Sequence, residues 1–78
     1  MQYKNLGKFI RLKRVSLGET LNGFAINNDI EPAILSRVEN EKQDVKLGVL
    51  TKIANGFNLT VSELLAEYEQ TLTIKKRS

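Results

Sequence analysis

Ser36 and Arg37 stand side by side in a segment that begins at Pro32 and ends at Asn40. A serine hydroxyl donates and accepts hydrogen bonds, and a guanidinium presents a planar fork of N–H donors. Around them the sequence offers hydrogen bonds and positive charge, not bond-making chemistry. It has no cysteine and no histidine, which excludes the common zinc sites, thiol nucleophiles and Ser-His-Asp triads. Glu63, Glu67 and Glu69 read as a solvated helix face. Glu39 and Glu41 are two apart and do not share a face. The glycines are scattered and form no phosphate-cradling motif. The chain is therefore not expected to be an enzyme, and no cofactor or metal is expected.

Charge points the same way. The 78 residues carry 12 basic and 9 acidic groups, a net charge of +3, which favours a polyanionic partner. The cations are unevenly placed. Lys4, Lys8, Arg11, Lys13 and Arg14 precede any acid, and Lys75, Lys76 and Arg77 close the chain. Between Glu19 and Asp44 six acids face only Arg37 and Lys42. The terminal cations read either as added phosphate attraction or as a solubilising tail. No run approaches the roughly 20 apolar residues of a membrane span, and Met1-Gln2-Tyr3-Lys4-Asn5 leads straight into an amphipathic pattern. The expectation is a soluble cytoplasmic protein with no membrane partner. A chain this short buries only about 60% of its unfolded surface, so its stability is expected to be modest.

Positioning these groups falls to helices, because the periodicity is helical almost throughout. Leu6, Phe9 and Ile10 mark a first helix, with Asn5 as its cap and Gly18 as its stop. Thr20 caps a second that turns Leu21, Phe24 and Ala25 inward. Asn27-Asn28-Asp29 breaks it, and Pro32 suits the first position of a third, with Leu35 and Val38 buried. Residues 41–46 read as a loop. Leu47, Leu50, Ile53, Ala54 and Phe57 outline a fourth helix that Asn58 ends. Thr60-Val61-Ser62-Glu63 matches a capping box and opens a fifth, which buries Val61, Leu64, Leu65 and Tyr68. Thr71-Leu72-Thr73-Ile74 alternates like a strand before the charges begin. The expected division is a domain over 1–70 and a frayed basic tail over 71–78. The fold is all-α.

Two short helices, Leu21 to Asn27 and Pro32 to Asn40, joined by a tight polar turn have the layout of a helix-turn-helix. Ala25 is small where they cross, and Ile30, Leu35 and Val38 pin the second to the core. That leaves Pro32, Ala33, Ile34, Ser36 and Arg37 free to enter a DNA major groove. Ile34 has a second reading, as a helix-packing residue.

Over Leu6 to Leu65 the chain resembles the lambda-repressor-like, or XRE, helix-turn-helix family. The matching pieces are Leu-Gly-Lys-Phe-Ile-Arg-Leu-Lys-Arg at 6–14, Phe24-Ala25, Ile30, Leu35-Ser36-Arg37-Val38-Glu39-Asn40, Ile53-Ala54 and Ser62-Glu63-Leu64-Leu65. They run collinearly without a gap. The resemblance implies a five-helix domain that binds double-stranded DNA, with the third helix as reader. It puts base contacts on Pro32, Ala33, Ser36 and Arg37. Arg37 suits guanine O6 and N7, and the methyl groups of Ala33 and Ile34 suit thymine. Thr20, Asn40 and Lys42 fall at positions that touch phosphates, and Gln43 joins the interface from the adjoining loop. For Lys42 and Gln43 the competing reading is an ordinary polar loop. The resemblance also implies an ion pair between Arg14 and Glu39, and a homodimer, whose contact is expected around Phe57, Asn58, Leu59 and the fifth helix.

Three positions depart from the family pattern. Leu21 replaces a glutamine at the start of the second helix. Glu41 replaces the glycine after the reader, so that Asn40 or another residue must supply the stop. Pro32 and Ala33 replace hydrogen-bonding readers, so specificity should lean on Arg37 and on DNA shape. The expected function is that of a sequence-specific transcriptional regulator, a dimeric repressor with no small-molecule ligand. The alternative is a protein-interaction module that keeps the helix-turn-helix shell, such as an antitoxin-like or anti-repressor partner.

Overall fold

A computed structural model describes residues 4–77 of the chain, with side chains through residue 72. Five helices follow one another: α1 (Leu6–Ser16), α2 (Leu21–Asn27), α3 (Pro32–Glu39), α4 (Leu47–Gly56) and α5 (Val61–Arg77). Each contributes an apolar face to one core. Leu6, Ile10, Phe24, Leu35, Ile53 and Leu64 are its largest fully buried side chains. Aromatic rings tie its ends together, with Phe24 and Phe57 at 4.9 Å between centroids and Phe9 meeting Tyr68 edge-on at 5.8 Å.

The first four helices end in the same way. Gly18, Asp29, Glu41 and Asn58 each take a positive φ, between 58° and 76°. At each end the next amide reaches back five residues: Glu19 to Arg14, Ile30 to Ala25, Lys42 to Arg37 and Leu59 to Ala54. With the paired bond one step inside, these are Schellman turns, which satisfy the last carbonyls of each helix. Asp and Asn tolerate the left-handed region and glycine adopts it freely. Glu41 is the exception, and it takes the position itself where Asn40 was a candidate. Its carboxylate accepts the Lys8 N–H at 2.8 Å, which pairs a donor that α1 would otherwise leave open.

That bond changes the start of α1. Asn5 was expected to cap through its side chain. It sits instead at φ 64° with no such bond, and Glu41 caps from across the fold. The capping box of α5 forms as expected: Glu63 N–H donates to Thr60 Oγ1 at 3.0 Å, and Thr60 N–H donates to Glu63 Oε1 at 2.8 Å.

Two further expectations are corrected. Residues 71–77 are not a frayed tail but continue α5. Leu72 packs against the core one turn beyond Tyr68, so the helical period outlasts the local strand-like alternation. The attraction expected of Lys75, Lys76 and Arg77 lies outside the described side chains. Leu47, expected inward, is 70% exposed, because α4 begins on it before the chain turns into the core at Leu50.

Of the five glycines, Gly7 is the most tightly approached. A Cβ there would stand 2.0 Å from the Val38 carbonyl oxygen and 2.7 Å from Glu41 Oε2. The first is backbone and cannot swing aside. Gly48, by contrast, has nothing within 4 Å of a built Cβ. Gly7→Ala should cost about 2–3 kcal/mol, the scale of an overpacked core. Gly48→Ala should be neutral or stabilise by up to about 1 kcal/mol. Urea unfolding midpoints of the two variants check the contrast.

Candidate nucleic-acid interface

The second and third helices are held as a unit by their turn. Thr20 Oγ1 accepts the Gly23 N–H at 3.0 Å and fixes the start of α2. Asn28 Nδ2 donates to the Phe24 carbonyl at 2.8 Å, and Ile30 is buried directly after the turn. Lys52 of α4 donates to the Asp29 carbonyl at 2.9 Å, clamping the left-handed residue from below. Pro32 then opens α3 at its first position, where a missing N–H costs nothing.

The inner side of α3 is fixed by Leu35 and Val38, both buried, and by Glu39. Arg14 donates through Nε to Glu39 Oε2 at 2.8 Å and through Nη2 to Oε1 at 2.9 Å, the bidentate pair expected from the sequence. Its third donor, Nη1, reaches the Glu19 carbonyl at 2.7 Å. Hydrogen-bonding to the Glu39 carboxylate raises the Arg14 pKa above its ordinary value, against the opposing effect of burial. A raised arginine pKa adds stability that is complete below the ordinary arginine value and is lost only above it. The Arg14 contribution is therefore constant at neutral pH.

The outer side of α3 is open. Ala33, Arg37 and Asn40 are exposed at helical spacings of four and three, with Pro32 and Ser36 half-buried beside them. Ile34 does not join this stripe. It is half-buried and packs against the core, so of its two readings the packing one describes it. Asn40 Nδ2 folds back onto the Ser36 carbonyl at 2.9 Å, leaving its own carbonyl oxygen directed away from that bond. Past the helix, Lys42 is exposed and Gln43 is half-buried. Gln43 Oε1 accepts Arg37 Nε at 2.6 Å. The structure thus brings Pro32, Ala33, Ser36, Arg37, Asn40, Lys42 and Gln43 to one region, with Thr20 exposed at the start of α2.

The turn after α3 differs from the other three in its chemistry. A Schellman turn sets the residue after the left-handed position beside the one five earlier, usually as an apolar contact. Ala25 with Ile30 and Ala54 with Leu59 follow that rule, and Arg14 with Glu19 is joined by a hydrogen bond. At the end of α3 the two positions are Arg37 and Lys42. Both are cations and both are exposed.

Phe57, expected at a dimer contact, lies in the core of the single chain. It is 8% exposed and stacked on Phe24 within the monomer core, with Lys13 Nζ 5.5 Å from its ring centroid. Leu59 is half-buried against the same core, and only Asn58 of the three is open to solvent. The helical spacing that puts Phe57 a turn beyond Ile53 and Ala54 already carries this signal. Among the described residues, no group of three or more acidic side chains gathers as a metal site.

An all-α domain with this helical order and this turn is a helix-turn-helix protein. Control protein C.MunI of a Mycoplasma species is 31% identical over 70 residues, 90% of this chain and 92% of that protein. The chain belongs to the family of that control protein. The crystal structure of the clp gene regulator ClgR from Corynebacterium glutamicum superposes with a TM-score of 0.79 at 22% identity, over 99% of this chain and 82% of that one. This second likeness is one of fold. No family model matches the chain.

Removing one partner of a buried pair leaves the other charge stranded. Glu39→Ala should therefore cost about 3–5 kcal/mol. The double variant Arg14→Met, Glu39→Leu should cost less than Glu39→Ala alone. Denaturant titrations of the single and double variants decide it.

Proposed function

We propose that this protein is a sequence-specific regulator that binds double-stranded DNA, a member of the lambda-repressor-like helix-turn-helix group, with α3 in the major groove. One observation carries the reading. The reader helix is pinned along its inner side by Leu35, Val38 and the Arg14–Glu39 pair, while its outer stripe is exposed and is followed by a second exposed cation, with Arg37 on the helix and Lys42 just past it. A polyanion with a groove is the partner that suits both features. The name of the related control protein supports a regulatory role.

In this reading Arg37 meets guanine O6 and N7 and carries sequence discrimination. The Ala33 methyl lies a turn earlier on the same stripe and suits a thymine methyl. Lys42, the Thr20 hydroxyl and the Asn40 side chain meet phosphates, which position the protein without reading sequence. We further propose a homodimer acting as a repressor in the cytoplasm, joined near Asn58 and α5. Its half-site centres would lie about 34–36 Å apart. Six to ten phosphate contacts, the order such a dimer makes, would make affinity fall steeply with salt.

Selection of binding sites from random duplexes tests the whole reading. The expected product is a two-fold-related site with half-sites about one helical turn apart. Failure to enrich any site would overturn it and favour the protein-interaction alternative. On the selected duplex, Arg37→Ala should cost about 1–3 kcal/mol and relax discrimination at one base pair. Lys42→Ala should weaken selected and random DNA alike and lower the salt slope by about one. Fluorescence anisotropy at two salt concentrations separates the two roles.

A further inference from the structure

We propose that Gln43 is a positioning residue for Arg37: it holds the guanidinium by Nε, so that Arg37 presents its terminal Nη1–Nη2 edge to a guanine. The inference rests on the DNA-binding reading above and assigns Gln43 a role other than direct contact.

The geometry is built by the turn at the end of α3. Glu41 takes φ 61° and reverses the chain. Lys42 N–H then donates to the Arg37 carbonyl at 2.8 Å, which fixes the returning strand against the residue it serves. Gln43, next along, brings Oε1 to 2.6 Å from Arg37 Nε. Gln43 is half-buried while Arg37 is exposed, so the anchor is the more constrained of the two groups.

A guanidinium has two edges that can make paired, parallel hydrogen bonds: one includes Nε, the other is Nη1 with Nη2. Occupying Nε leaves the terminal edge as the free fork, and that fork matches O6 and N7 of guanine. An amide is suited to this task. It accepts the N–H without neutralising the positive charge, whereas a carboxylate would neutralise it and weaken attraction to every duplex alike. An unheld arginine has many rotamers to lose on binding, and ordering it beforehand reduces that loss.

The test measures affinity of the full chain for three duplexes. They are the site it selects, the same site with 7-deazaguanine replacing the guanine assigned to Arg37, and a random sequence. Gln43→Met keeps the side-chain length and removes the acceptor. It should weaken the selected site about tenfold, within the discrimination of one bidentate contact. Random-duplex affinity and salt slope should not change, and the 7-deazaguanine penalty should shrink. In an Arg37→Ala background Gln43→Met should have no further effect. Gln43→Glu keeps the acceptor, so it should retain the full 7-deazaguanine penalty even though its charge weakens binding to every duplex. Circular dichroism melts establish that each variant is folded, and Gln43→Glu alone decides the matter if Gln43→Met is not.

Additive effects of Gln43→Met and Arg37→Ala would overturn the proposal. So would equal losses on selected and random DNA, which mean a direct phosphate contact, or loss of the 7-deazaguanine penalty in Gln43→Glu. These outcomes leave the DNA-binding reading intact. That reading fails separately, if the unmodified chain selects no site.

Discussion

An eight-residue helix has no independent stability in water, yet α3 holds one face outward. The seam between α1 and α3 resolves this. Gly7 lets the start of α1 reach the Val38 carbonyl, the Glu41 carboxylate closes the Lys8 amide, and Arg14 grips Glu39 with two hydrogen bonds. All three contacts lie on the side of α3 away from the exposed stripe. They pair the polar groups of the inner face with α1, while those of the outer face, Arg37 and Asn40, bond only within α3 and the loop that follows it.

Buried charge is an unusual choice for such a seam. Two apolar side chains could fill the same space at less desolvation cost. The Arg14–Glu39 pair has directional geometry, however, and it fixes the rotation of α3 about its own axis. Arg14 also binds the Glu19 carbonyl, so one guanidinium ties α1, the turn before α2 and α3 together. Rotation matters here because Ala33, Arg37 and Asn40 form a narrow stripe, and about a quarter turn would bring Ile34 outward in their place.

The four Schellman turns show how one local device serves different ends. After α2 and α4 it seats Ile30 and Leu59 against the core. After α3 the same backbone hydrogen bonds put Lys42 and Gln43 beside Arg37. The apolar contact that normally seals the motif is replaced by groups with no structural use for one another, apart from the Gln43 bond. Polar residues there lose the packing that Ile30 and Leu59 gain at the other turns.

Much of this was legible in the residues. Helical spacing located all five elements, Thr60 and Glu63 announced their capping box, and Gly18 announced its turn, because these are interactions within a few residues of chain. The stripe of α3 followed from the same period. What tertiary structure decided was set by contacts between residues far apart in sequence. Asn5 yielded its cap to Glu41, 36 positions away. Phe57 went to the core because Phe24 faces it, and residues 71–77 became helix because α1 supplies a wall for Tyr68 and Leu72. Periodicity specifies which face of a helix is apolar. Only the packed chain specifies what meets that face, since the distance between two side chains depends on every turn between them.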